Sequence, residues 1–369
     1  MKFPHLTHAQ APLTCEVSAI NEFGEHISVS IPAERALTVY VDKRELVTLM
    51  TLGAHPELLV LGYLRNQRLV NSLEEIESIT VDWDVGAAAV KTRLGIADIE
   101  EKTARRVVTT GCGQGSVFGG LMDVVDRIVL PPDAGITQSQ LYALVNTIRL
   151  KETTYKSAGS VHACALFDAS PAEPVMLLFV EDVGRHNAID TIAGWMWLNM
   201  ASTLVAPRTA LLPEGAGLAW GGPALAAMAP TPVASRASSG ALPLDQDEGV
   251  LRQRPGEAGS TAPDREDEAA ALGPSSTGSG SERLVFYTTG RLTSEMVIKS
   301  AQMGVAVVVS RSGITQMGHQ VAQSVGLCAI GRATNKRFVC YASPHRLVME
   351  PGLVSRTEPP IARSVADAT

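Results

Sequence analysis

Met176-Leu177-Leu178-Phe179-Val180-Glu181-Asp182-Val183-Gly184-Arg185-His186-Asn187 is the stretch that decides how this chain is read. Its first five residues are a continuous apolar run, the pattern of a short buried strand. Two carboxylates, a guanidinium, an imidazole and an amide follow, crowded around Gly184, which permits a sharp turn. From 187 to 200 apolar residues then recur at helical spacing. Strand, polar turn and helix together form the unit of a layered α/β fold, and the unit recurs along the chain. Apolar runs at 107–109, 284–288, 305–309, 327–330 and 338–341 alternate with helical patterns at 137–150, 294–303 and 315–325. The helix at 137–150 opens on a capping box of Thr137 and Gln140. The alternation predicts an α/β domain with a largely parallel sheet over residues 105–206 and 284–346.

Upstream the pattern is different. Residues 25–31, 37–41 and 79–85 alternate in the strand manner, and HPELLVLGYLRN (55–66) sets Pro56 at a favoured first helical position. Residues 13–104 are therefore expected to form a smaller α+β portion. Between 207 and 283 there is no Ile, Phe, Tyr or Lys, while nine of the 21 prolines and eleven of the 32 glycines fall there. Such a composition buries too little apolar surface to offset chain entropy. It is read as a disordered insertion of 77 residues (283 − 207 + 1), and 347–369 as a flexible tail.

The whole chain, 369 residues with 45% hydrophobic content, is long enough for about two domains. Its 31 basic and 38 acidic side chains give a net charge of −7, which offers no general attraction to nucleic acid or an anionic membrane. An anionic ligand must be held by a local pocket. The apolar stretches 191–207 and 215–235 are broken by polar residues and prolines, and no signal-type segment opens the sequence, so a soluble cytoplasmic protein is expected. The five cysteines (15, 112, 164, 328 and 340) form no CxxC pair, which speaks against a disulfide framework or a cysteine-based zinc site.

Polar clusters follow four of the apolar runs: Gly111 to Ser116 with Cys112, Glu181 to Asn187, Thr288-Thr289-Gly290-Arg291, and Ser310-Arg311-Ser312-Gly313. In open α/β sheets the carboxyl ends of strands form the ligand crevice, so the four are expected to build one composite site. Glycines around Cys112 would expose its thiol, and Arg185, Arg291 or Arg311 would favour the thiolate; a tight turn with an incidental cysteine is the plainer reading. Cys164, Cys328 and Cys340 lie inside apolar runs and are expected to be buried thiols. His162, with Cys164 where a zinc deaminase needs its Glu and with no PCxxC, is read as a structural or pocket-wall residue; no zinc is expected. Thr288 to Arg291 offer hydroxyls, backbone amides and a guanidinium suited to phosphate.

FVEDVGRHNAID (179–190), TTGRLTSEMV (288–297), VVVSRS (307–312), KSAGSVHACALF (156–167), GCGQGS (111–116) and TLMTLGAHPELLVLGYL (48–64) together resemble the formate dehydrogenase accessory sulfurtransferase family of FdhD type. The resemblance implies a C-terminal cytidine deaminase-like α/β fold without zinc chemistry. It implies a sulfur carrier that takes sulfur from a cysteine desulfurase as a persulfide and passes it to the molybdenum (or tungsten) bis-molybdopterin guanine dinucleotide cofactor, for formate dehydrogenase as client. The persulfide cysteine falls on Cys112, and the cofactor-binding stretch on Phe286, Tyr287, Thr288, Thr289, Gly290 and Arg291. A guanine nucleotide should then bind as a cofactor fragment. Some members carry CxxC in the active loop; here Gly115 takes the second position, so Cys112 must act without a loop partner. A non-catalytic cofactor chaperone and a hydrolase pairing Cys112 with His162 or His186 are the rival readings. No motif decides whether the chain forms a homodimer.

Overall fold

The computed structural model of the protein describes residues 3–96, 99, 125–151, 153–200 and 283–353. The expected strand at 107–109, the Cys112 loop, residues 207–282 of the expected insertion and most of the expected tail lie outside the described residues.

Among the described residues, seven strands come from the N-terminal portion: β1 (His5–Leu6), β2 (Thr14–Ile20), β3 (His26–Pro32), β4 (Arg35–Val41), β5 (Arg44–Thr51), β6 (Ile76–Asp82) and β7 (Ala87–Thr92). Five of them make a sheet in the order β1-β6-β7-β4-β5, while β2 and β3 pair as a separate antiparallel hairpin. Alternation is clearest in β4, where Leu37, Val39 and Val41 are buried and the residues between them are not, as a sheet covered on one face requires. The cover is helix α1 (Pro56–Asn66), with Pro56 at its start as the sequence predicts. Leu59, Val60, Leu64, Leu37, Val39 and Ile79 share one apolar core.

The second sheet carries the remaining long strands: β9 (His162–Asp168), β10 (Val175–Asp182), β11 (Leu284–Thr288), β12 (Val307–Ser310), β13 (Cys328–Thr334) and β14 (Arg337–Ala342), in the order β10-β9-β11-β12-β13-β14. A short parallel pair, β8 (Ile136–Thr137) with β15 (Leu347–Val348), lies apart from it. Helices α2 (Gln138–Lys151), α3 (Thr153–Ala158), α4 (Arg185–Asn199), α5 (Ser294–Gln302) and α6 (Gln316–Ser324) connect these strands. The predicted capping box of α2 is present: Thr137 N–H donates to Gln140 Oε1 at 3.0 Å, and Gln140 N–H to Thr137 Oγ1 at 3.2 Å.

Both faces of this sheet are covered. Cys164, Leu166, Phe286 and Val308 point to a core shared with Ile189 and Ile192 of α4 and Met296 of α5. Ala165, Phe167, Val285, Tyr287, Val307 and Val309 point the other way, toward Leu141, Leu144 and Ile148 of α2. Burial on two sides explains why these strands read as unbroken apolar runs.

The sheet is mixed rather than largely parallel. Only β11–β12 and β12–β13 pair in parallel; β10–β9, β9–β11 and β13–β14 are antiparallel. The reason is local: the links 169–174 and 335–336 are too short to hold a crossover helix, so each makes a hairpin. The chain is thus a mixed α/β protein.

Helices α1 and α4 cross at contact distance through glycines. A Cβ on Gly62 would fall 1.7 Å from the Asp190 carbonyl oxygen, and one on Gly194 2.1 Å from that of Leu58. Buried ionic groups lie beside this crossing. Lys299 Nζ sits 3.0 Å from Asp190 Oδ2 and 3.2 Å from Glu295 Oε1, Asn66 donates to Asp190 Oδ1 at 2.7 Å, and His186 Nε2 lies 3.3 Å from Glu295 Oε2. Burial opposes the Lys299 charge, but the carboxylates of Asp190 and Glu295 outweigh it and hold the ammonium above its ordinary pKa.

Candidate functional site at one end of the second sheet

Strand direction decides which residues meet. The carboxyl ends of β10, β11 and β12 lie at the same end of the sheet, and the antiparallel β9 brings its first residue there. Asp182 is in register with His162, Thr288 with Cys164, and Thr288 with Ser310. Three of the four expected polar clusters therefore converge; the fourth, around Cys112, lies outside the described residues. Helices α4, α5 and α6 each start within a few residues of these strand ends, so their N-terminal amides favour negative charge on this side.

A cavity of about 360 Å³ opens here, lined by Tyr155, Val161, His162, Ala163, Thr289, Arg311 and Ser312. The chain enters β9 through Gly159 and Ser160, both left-handed at φ 65° and 52°, and this turn delivers Val161 and His162 to the wall. Thr289 is fixed from two sides: its N–H donates to the Ala163 carbonyl at 2.9 Å, and its Oγ1 accepts from Ala163 N–H at 3.0 Å. Ser310, fully buried, donates to the Gly290 carbonyl at 2.7 Å and accepts from Ser312 N–H at 3.0 Å. Arg311 N–H donates to the Thr288 carbonyl at 2.9 Å. The turns after β11 and β12 are thereby tied into one rigid rim.

Guanidiniums from three elements surround this rim. Arg311 lines the cavity, and Arg291 is exposed on the turn after β11. Arg185, 7% exposed, lies against Gly290, where a Cβ would come 2.8 Å from its Cδ. Half-buried His162 registers this charge. Burial first, then Arg185 and Arg291, lower its pKa, so its ring is neutral at pH 7.

The predicted cofactor-binding stretch divides in two. Phe286 and Tyr287 are buried core side chains on opposite faces of β11, and Thr288 is fully buried with its Oγ1 accepting from Gly290 N–H at 3.1 Å. These three position the turn, while Thr289, Gly290 and Arg291 form it. The Glu181–Asn187 cluster is chiefly structural. Glu181 accepts from the backbone of Thr154 and Tyr155 at 2.7 and 3.1 Å, which holds the Tyr155 wall in place. Asp182 accepts from Thr51 Oγ1, Gly184 N–H and Asn187 Nδ2; burial, the dominant influence, still raises its pKa. His186 is buried against Glu295, a poor position for the base of a hydrolase.

The cysteines separate by environment. Cys164 is fully buried and donates to Thr288 Oγ1 at 3.3 Å; burial pushes its pKa up to about 12. Cys328 is also fully buried, but Cys340 departs from the buried-core expectation. It is partly exposed, its sulfur 3.9 Å from that of Cys328, and this hydrogen bond lowers its pKa to about 7. Tyr155, Val161 and Ala163 are wall residues that the sequence reading did not single out, whereas Ser312 belongs to one of the expected clusters. The usable signal was the missing helix between the apolar runs 163–167 and 176–180, which makes a hairpin and brings the start of β9 to the rim.

The fold resembles the crystal structure of a protein from Desulfotalea psychrophila provisionally described as a formate dehydrogenase accessory protein, with a TM-score of 0.55 and 17% identity over 91% of this chain and all of that one. Sulfur carrier protein FdhD of Bacillus subtilis (strain 168) is 24% identical over 314 residues, 85% of this chain and 88% of that protein. The protein of the same name from Geobacillus kaustophilus (strain HTA426) is 21% identical over 319 residues, 86% and 90% of the two chains. A model of the FdhD/NarQ family matches residues 32–206 and 275–348. With both halves of the second sheet and most of the first inside that match, the chain belongs to the FdhD/NarQ family.

Proposed function

We propose that the protein carries sulfur for the maturation of a formate dehydrogenase. Cys112 takes a sulfur atom from a cysteine desulfurase as a persulfide and hands it to the molybdenum bis-molybdopterin guanine dinucleotide cofactor, which is its substrate. The observation that carries this reading is the cavity bounded by Thr289 and Arg311 and flanked by Arg185 and Arg291, in a chain whose curated relatives are named sulfur carriers. Arg291, Arg311 and the Thr289–Gly290 backbone would meet phosphate oxygens. A cavity of about 360 Å³ falls at the small end of ligand sites, which span about 300–1,000 Å³. It suits one nucleotide end of a long substrate.

The same reading places the reaction in the cytoplasm and treats residues 105–206 with 284–346 as a deaminase-like domain that has no zinc chemistry. Among the described residues no helix is long and apolar enough to cross a membrane. The link to formate dehydrogenase draws on the structural neighbour's description and on the motif resemblance. Complementation tests the proposal. Cells that lack their own carrier should regain formate dehydrogenase activity with the wild-type chain and not with Cys112→Ser. Full activity with Cys112→Ser at equal protein level would leave a cofactor chaperone as the better reading.

A further inference from the structure

His162 is a wall residue of the cavity that burial first, and then the guanidiniums of Arg185 and Arg291, hold in its neutral form. Its ring lies at the start of β9, in register with Asp182 on β10, yet both nearby carboxylates are committed elsewhere. Asp182 faces Thr51, Gly184 and Asn187, and Glu181 faces the α3 backbone. The charged groups acting on it are Arg185 from the first turn of α4 and Arg291 from the turn after β11. Arg311 from the turn after β12 and Tyr155 from α3 share the cavity wall with it. Among the described residues no side chain hydrogen-bonds the ring.

We propose that His162 is a ligand-contacting residue of this cavity, and that it takes up a proton when a nucleotide pyrophosphate binds. The inference rests on the nucleotide reading given above. Positive charge from Arg185 and Arg291 is part of what keeps the imidazole neutral in the protein alone. A bound pyrophosphate brings two negative charges into the same space, offsets the guanidiniums and favours the imidazolium. The protonated ring then has two N–H donors and no acceptor, so it can add a charge-assisted hydrogen bond to a phosphate oxygen.

The sign follows from linkage. The bound state holds the proton more tightly than the free state, so affinity is highest at low pH and falls as pH rises through the bound-state pKa. A suitable probe is P1,P2-di(guanosine-5′) pyrophosphate. Each of its phosphoryl groups is esterified to a guanosine and joined to the other through the anhydride oxygen, so it lacks the terminal phosphate ionisation near about pH 6 that would confuse a titration with GDP. Calorimetry of the full chain at about pH 6 and about pH 8, on either side of the ordinary imidazole pKa, should show several-fold tighter binding at the lower pH. Titrations in two buffers of different ionisation enthalpy should show uptake of a fraction of one proton.

His162→Gln and His162→Asn, checked for an unchanged melting profile, should bind with the same affinity at both pH values and take up none. Wild-type binding that is independent of pH, or proton uptake that survives in both variants, would overturn the role of His162 and leave the nucleotide site intact. Failure of the wild type to bind the probe at either pH would overturn both.

Discussion

Arg291 and Arg311 reach the same rim from two neighbouring parallel strands, and the backbone bond from Arg311 to Thr288 keeps the two turns in step. Under the proposed function each guanidinium would make a charge-assisted bond to phosphate. Arg291→Ala and Arg311→Ala should each weaken GDP binding by about 1.5–3 kcal/mol, the range for a hydrogen bond to a charged group. Arg291→Lys should recover only part, because an ammonium lacks the planar fork. Equal affinity in wild type and all three variants, measured by calorimetry, would remove both residues from the site. Cys164 makes the opposite kind of prediction. Its folded pKa, about 12, lies above the ordinary thiol value of 9.0, so its contribution to stability is complete below pH 9 and is lost as pH rises toward 12. Cys164→Ala should flatten that part of the alkaline stability curve, and iodoacetamide should leave Cys164 unmodified in the native protein near neutral pH.

At the scale of elements, the crossing of α1 and α4 is the tightest constraint. Neither Gly62 nor Gly194 has room for a methyl group, because the nearest atoms are backbone carbonyls that cannot rotate away. Gly62→Ala or Gly194→Ala should cost about 3 kcal/mol or more in urea unfolding, at or beyond the usual range for overpacking. Lys299→Met leaves Asp190 and Glu295 buried without their cation and should cost about 3–5 kcal/mol. Both helices were legible from apolar spacing, but the crossing was not. A helical glycine reads only as weak propensity until a partner backbone is known. The ionic groups were hidden for a related reason: Asp190, Glu295 and Lys299 look like solvated positions until three helices close over them. Hairpins that join antiparallel strands likewise escaped a reading built on strand–helix alternation. By contrast, the convergence of the polar turns after β11 and β12 was legible, because the carboxyl ends of neighbouring parallel strands lie at one end of a sheet.

For the whole molecule, the family match is interrupted between residues 206 and 275, across most of the segment whose composition reads as an insertion. Replacing residues 207–283 by a short Gly/Ser linker should leave the thermal unfolding of the rest nearly unchanged, since closure entropy varies only logarithmically with loop length. A loss of more than about 2 kcal/mol would show that the segment packs against the sheets. The account's central claim concerns sulfur on one cysteine, and mass spectrometry tests it most directly. The full chain, incubated with a cysteine desulfurase and cysteine and then digested under non-reducing conditions, should carry one added sulfur atom on the Cys112 peptide and none on those of Cys164 or Cys328. Added sulfur on Cys340 or Cys15 with Cys112 unmodified would contradict it.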